Sequence, residues 1–176
     1  MRGSLEDVID DVWSDMTAED TAYYTAIGDT APETPKLYPV SYYLGHHPAI
    51  LQHPVDDYPN VVVSCYEHDP TAGFDIDNEL DQIEPLTNAA YVEAFVLHED
   101  AATVNRLAWR YADALHRAIT NSRDLGEWPV IWQMIGTPHV EVSNASARMI
   151  SEDETDGWTY IQGIRAEMLF RTPQPW

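Results

Sequence analysis

Residues 91–123, which read YVEAFVLHEDAATVNRLAWRYADALHRAITNSR, predict a strand, a short turn and a helix in direct succession. Within 85–97 two sets of side chains alternate, which is typical of a strand, and this strand is expected to end at His98: one set is Tyr91, Glu93, Phe95 and Leu97, and the other is Val92, Ala94 and Val96. After the turn HED, the spacing of apolar residues over 101–123 changes to three and four, which predicts an amphipathic helix. Its apolar face consists of Val104, Leu107, Ala108, Tyr111, Ala112, Ala114, Leu115, Ala118 and Ile119. A helix packed on a sheet is therefore the expected centre of the fold.

Further elements are predicted on both sides of this centre. Residues 4–16 open with a near-capping box and predict a helix, and 17–27 predict a second short helix that Gly28 ends. The β-branched run at 60–67 predicts a strand, and 139–150 with 158–171 predict the two arms of a long hairpin. This order predicts an α+β fold: a mixed or antiparallel sheet of about four strands, with helices packed mainly on one face.

The chain length predicts one domain. A chain of 176 residues is near the usual size of a single domain, so we assign 1–176 to one α+β domain. Within it, 28–59 contain six prolines, which break regular structure, together with several aromatic side chains. A free linker would leave these aromatic side chains in water, so we interpret 28–59 as an extended, ordered arm or loop.

The strong negative charge restricts the function classes. Nine Lys and Arg residues against thirty Asp and Glu residues give a net charge of −21. This charge repels phosphate backbones and anionic membrane surfaces, and no apolar run approaches the ~20 residues of a membrane span. In molar salt the Debye length falls to about 3 Å, so crowded carboxylates are tolerated. The composition resembles that of proteins from extreme halophiles; an acidic mesophilic protein with a basic partner is the alternative.

Basic residues are concentrated on the central helix. Arg106, Arg110 and Arg117, with Asp113 between them, form a stripe opposite the apolar face. This stripe has two interpretations: a solvated face, or a docking surface for an acidic patch on the next copy of the chain. On either view Arg110→Ala would barely change the stability of the monomer. Tyr42 and Tyr43 of the arm are further candidates for subunit contacts.

Residues suited to catalysis are sparse. The sequence contains no phosphate-binding glycine loop and no hydrolase or zinc-protease motif. Imidazole and carboxylate groups can bind zinc or iron, but their spacing here matches no known metal motif. These candidate ligands are His46, His47 and His53, followed by His68 and Asp69. We favour structural or surface histidines, and an inert buried thiol for Cys65, so we predict no catalytic residue, no cofactor and no enzyme activity.

Three stretches carry a resemblance to a known family. They are YPNVVVSCYE at 58–67, the HED turn at 98–100 and GIRAEMLFRT at 163–172, in the order amphipathic helix, proline-rich stretch, strand, long helix and final hairpin. This order resembles the tail terminator and tail-completion proteins of long-tailed viruses. The resemblance implies a small sheet flanked by helices and a hexameric ring at the head-proximal end of the tail. Residues 28–59 are longer than the corresponding connection in that family.

The resemblance also implies partners and a location. The ring would contact copies of itself, the tail tube protein and the head–tail connector or stopper, and DNA would pass through its lumen without specific binding. It would be part of the virion tail or neck, assembled in the host cytoplasm, and the acidic composition implies a haloarchaeal host. The terminator role is preferred over a stopper or adaptor. The alternatives are a soluble halophilic binding or regulatory domain and, in third place, a metal-dependent enzyme built on the histidine cluster.

Overall fold

The computed structural model describes residues 2–44, 55–67, 87–121, 133–150 and 157–171. In chain order its regular elements are α1 (Arg2–Ala26), β1 (Ser41–Leu44), a short 3-10 helix (Val55–Asp57), β2 (Asn60–Glu67), β3 (Thr87–His98), α2 (Ala101–Asn121), β4 (Gln133–Val142), β5 (Ser146–Ile150) and β6 (Gly157–Arg171). The predicted α+β class is confirmed, and the sheet is mixed, with six strands where about four were expected.

The sheet has the strand order β1-β2-β3-β6-β4, and β5 also pairs with β6. β1 runs parallel to β2, and the other pairs are antiparallel. The predicted first arm of the C-terminal hairpin is two strands instead of one, because the chain bends at Ser143. The Ser143 amide donates to the carbonyl of Gly163 at 2.8 Å, and the Gly163 amide donates to Ser143 Oγ at 2.9 Å. These bonds hold the bend against β6.

The prediction of two N-terminal helices is wrong. α1 continues through the predicted break, and Thr17 and Asp20 point to Arg110 of α2 instead of capping a new helix. The helix ends where expected. Gly28 has a φ of 77°, and the amide of Asp29 donates to the carbonyl of Tyr24 at 2.8 Å, as in a Schellman motif.

The helices cover one face of the sheet, as predicted. α2 contacts β3, β6 and β4, and α1 packs beside it. The main core lies between this helix layer and what we call the helix face of the sheet. Its largest buried members include Leu5, Ile9, Val12, Val61, Val92, Val96, Leu107, Tyr111, Leu115 and Ile164. The opposite face, the back face, has a smaller cluster made of Tyr58, Val62, Phe95 and Ile161.

The start of α2 is fixed by an aspartate. Asp100 Oδ2 accepts hydrogen bonds from the amide of Thr103 at 2.7 Å and from its hydroxyl at 2.6 Å. The hydroxyl bond and then the amide bond lower the pKa of the Asp100 carboxyl below its ordinary value of 3.8. Asp100 is therefore the N-cap of the helix that covers the sheet.

We expect Asp100→Ala to lower the thermal midpoint at neutral pH, because the first turn of α2 loses its cap. Since the folded-state pKa is depressed, this stabilisation is present above pH 3.8 and is lost as the pH falls through the lower folded-state value. Wild type and Asp100→Ala should therefore converge in acid. Asp100→Asn keeps an acceptor and is the control. Equal midpoints of wild type and Asp100→Ala at neutral pH, measured by circular dichroism, would contradict the assignment.

Candidate functional site

Arg110, predicted to be part of a solvated stripe, is buried. It is 2% exposed, and its guanidinium forms an ion pair with Asp20 Oδ2 at 2.9 Å and donates to Thr17 Oγ1 at 3.2 Å. The same group lies 5.6 Å from the ring of Trp13. The interpretation as a solvated face is therefore wrong for Arg110, because α1 packs against this side of α2.

The two other arginines of the stripe also bond within the chain. Arg106 Nε donates to Thr34 Oγ1 at 3.0 Å, which links α2 to the arm. Arg117 forms ion pairs at 2.8 Å with Asp15 of α1 and at 2.8 Å with Asp113 of α2. The hydrogen bond to Asp15 is the main reason that the pKa of Arg117 is raised. A role of these arginines in subunit contacts stays a prediction; their hydrogen bonds and ion pairs attach α1 and the arm to α2.

The first part of the arm lies across the two helices. Trp13 Nε1 donates to the carbonyl of Pro35 at 3.0 Å, and the hydroxyl of Tyr111 donates to the carbonyl of Leu37 at 2.9 Å. Lys36 Nζ forms an ion pair with Asp10 at 2.8 Å, and this bond is the main reason that the pKa of Asp10 is lowered. Residues 29–40 therefore form a strap over the seam between α1 and α2.

The tyrosines predicted as subunit contacts belong to β1, the outer strand next to β2. Tyr42 packs against the main core, and Tyr43 packs against the cluster on the back face. The hydroxyl of Tyr43 donates to Asp57, and this bond raises the pKa of Tyr43. The side chains that this edge exposes most are Leu44, 90% exposed, and Val40 just before the strand, 56% exposed. Sequence reasoning missed both residues.

The other edge of the sheet is formed by β4 and β5. Val140 and Val142 lie partly buried against the main core, on the helix face. His139 and Glu141 alternate with them, are exposed, and contact each other at 3.0 Å. Pro138 precedes this stretch, and the pairing with β6 changes register between Ile135 and His139. The regular part of β4 beyond this irregularity is therefore 139–142.

The back face has a charged pair beside a shallow recess. Arg165 Nη2 and Glu93 Oε1 are 2.7 Å apart, and this pair raises the pKa of the Arg165 guanidinium. The guanidinium lies 5.5 Å from the ring of Tyr91. The adjacent recess, of about 460 Å³, has Phe95 and Gly163 among its lining residues. A Cβ on Gly163 would be 2.9 Å from Phe95 Cε1, which is closer than van der Waals contact allows. The absence of a side chain at position 163 therefore leaves room for the Phe95 ring.

The disfavoured candidate metal ligands His46, His47, His53, His68 and Asp69 lie outside the described residues, so neither interpretation of the histidines is tested. Cys65 belongs to β2, as predicted. Within the described ranges, no group of three or more His, Cys, Asp or Glu side chains is arranged to hold a metal ion. In the same ranges, no helix combines the length and apolar character needed to cross a bilayer.

Comparison with known proteins gives no family for this chain. No protein-family model matches its sequence, and neither does any curated protein.

We expect Arg110→Ala to destabilise the protein by about 3 kcal/mol, because it deletes a long buried side chain that packs against Trp13 and leaves a cavity between α1 and α2. This expectation replaces the small effect inferred from the sequence. Arg117→Ala, which removes a partly exposed ion pair, is the matched control and should cost less than about 1 kcal/mol. Urea unfolding in molar KCl measures both changes. Similar losses for the two variants would contradict the special role of Arg110.

Proposed function

We propose that this chain is a virion structural protein that assembles with copies of itself into a ring, as a tail terminator of a long-tailed virus does. In this role the ring caps the tail tube and joins it to the neck or connector, in the virion of a haloarchaeal virus. The observation that carries the proposal is that the sheet has two chemically different edges. Within the described residues, β1 pairs with β2 alone, and β4 and β5 each pair with β6 alone.

The two edges are suited to each other. β1 offers the backbone of 41–44, and β4 offers a regular stretch of the same length, 139–142. Strand alternation places Leu44 on the same side as Tyr42, which packs into the main core on the helix face. Val140 and Val142 occupy that side at the other edge. A neighbouring copy that added its β4 to β1 would extend the sheet and cover these apolar side chains.

A contact between two different edges is heterologous, and symmetry then gives either a closed ring or an open filament. Exposed strand edges are templates for pairing, and soluble proteins commonly protect them with lysine, proline or a bulge. β1, with the sequence SYYL, contains neither lysine nor proline. The proposed ring covers this edge, and its hexameric form is what the family resemblance implies.

The distribution of charge makes assembly dependent on salt. Five of the nine basic side chains already form hydrogen bonds or ion pairs within the chain: Lys36, Arg106, Arg110, Arg117 and Arg165. Few cations are therefore left to neutralise the carboxylates of a neighbouring copy. In molar salt, where repulsion is screened beyond about 3 Å, backbone pairing and apolar contact are sufficient.

A soluble halophilic binding or regulatory domain is the second candidate. The recess on the back face favours it, because its volume of about 460 Å³ falls in the range of small-ligand sites. The two candidates differ in oligomeric state. A binding domain can remain a monomer of 20.0 kDa in molar KCl, whereas the proposed ring has a mass several times larger.

We expect Leu44→Lys to prevent assembly in molar KCl without unfolding the chain, because a charge then lies at the β1 edge. Sedimentation velocity measures the mass, and circular dichroism checks the fold. Trp109→Lys is the matched control: Trp109 is 56% exposed, belongs to α2 and not to an edge strand, and its replacement should leave assembly intact. A monomeric wild type in molar KCl, or equal assembly of wild type and Leu44→Lys, would overturn the proposal.

A further inference from the structure

Asn60, the first residue of β2, is buried in an unusual way. Its side chain is 0% exposed, and neither Oδ1 nor Nδ2 has a hydrogen-bond partner within the described part of the chain. Its register neighbours are Ser41 on β1 and Phe95 on β3. Val62, two residues later, belongs to the cluster on the back face, so strand alternation places Asn60 on that face as well. A buried amide without a partner is costly, which points to a ligand at this position.

A carboxylate lies beside the same neighbour. Asp57 accepts hydrogen bonds from the hydroxyl of Ser41 at one oxygen and from the hydroxyl of Tyr43 at the other. Ser41 is thus hydrogen-bonded to Asp57 and lies opposite Asn60 in the parallel register. The two segments are held together by the amide of Val40, which donates to the carbonyl of Pro59 at 2.7 Å. Ser41 is therefore both the register neighbour of Asn60 and the hydrogen-bond partner of Asp57, so the three residues belong to one junction of β1, the short 3-10 helix and β2.

We propose that Asn60, Asp57 and Ser41 form a binding site for a monovalent alkali cation, Na⁺ or K⁺. Amide, hydroxyl and carboxylate oxygens are hard ligands, and carbonyl-type oxygens replace the hydration shell of K⁺ in other proteins. Among the three named residues, the Asp57 carboxylate is the anionic group, and its single negative charge matches a monovalent cation. Calcium sites use six to eight oxygens and bind more tightly as carboxylates are added, and softer metals prefer nitrogen or sulfur ligands.

The inference does not rest on ring assembly, since all three residues belong to one copy of the chain. A bound cation would connect β1 to β2 within the monomer, so its effect is a change in the stability of the folded monomer. The competing occupant is a buried water molecule. Water binding does not depend on which cation the solution contains, so ion specificity separates the two.

The test compares KCl, NaCl and tetramethylammonium chloride at one ionic strength. Tetramethylammonium screens charge, but its methyl groups prevent the close coordination by oxygen atoms that Na⁺ and K⁺ accept. We expect the urea midpoint of wild type to be higher in KCl or NaCl than in tetramethylammonium chloride. The alkali salt that gives the higher midpoint contains the preferred ion. Asn60→Leu and Asp57→Asn should lose this difference. Asp56→Asn, which removes the neighbouring exposed carboxylate, is the matched control and should keep it.

Two results would overturn the proposal. One is a wild type with the same midpoint in all three salts, which indicates a water molecule or an empty amide pocket. The other is an equal difference between salts in wild type and all three variants, which indicates a general salt effect. ²³Na relaxation on wild type and Asn60→Leu gives a second measurement that does not require unfolding, and broadening confined to wild type supports the site. Both measurements report on the monomer, so they test the cation site even if the assembly experiment shows no ring.

Discussion

The packing of the helix layer depends on one buried guanidinium. A charge as well covered as that of Arg110 is tolerated only when it is paired, and its carboxylate partner, Asp20, lies on α1. This requirement explains why α1 continues past Thr17: a chain that broke there would move Asp20 away from Arg110. Fixing α1 against α2 also fixes the position of the seam between them. The strap at 29–40 binds along this seam through Trp13 and Tyr111. The ion pair therefore specifies the arrangement of the helices more than it adds to stability.

The acidic composition has a structural consequence. In a chain of charge −21 cations are scarce, and each cation that forms an ion pair within the fold is no longer available for contacts with other molecules. Arg106, Arg110 and Arg117 fasten the helices and the strap, and Arg165 pairs with Glu93 on the back face. These four side chains are therefore already engaged within the chain. Backbone pairing at a sheet edge, as in the proposed ring, requires none of them.

Local patterns predicted the elements whose form is set by their own residues. β2 has the predicted bounds because its β-branched run is buried on both faces of the sheet. α2 begins at the predicted residue and is helical to Asn121, the last described residue of that segment, because its periodic apolar face is buried. The errors concern features set by distant residues. Arg110 looked solvated because a helical wheel shows no neighbouring helix, and β1 was hidden because its pairing with β2 is parallel and non-local. The candidate surfaces were foreseen only in part: Tyr42 and Tyr43 lie on β1, whose outer edge the ring proposal uses, whereas Leu44 and Asn60 were not among the predicted site residues.

Salt can affect this molecule in two ways, by screening the repulsion between copies and by binding of a cation at one site. Both would act on β1. Screening lowers the repulsion between acidic copies and is insensitive to the identity of the ion. Binding at the junction of Asn60 and Asp57 would depend on ion identity and would strengthen a strand that four residue pairs join to β2. Since the proposed assembly uses the outer edge of that same strand, a better-ordered β1 would lose less conformational entropy when it pairs. If both proposals hold, the cation that stabilises the monomer also favours assembly. Monomer stability and assembly should then show the same preference between Na⁺ and K⁺.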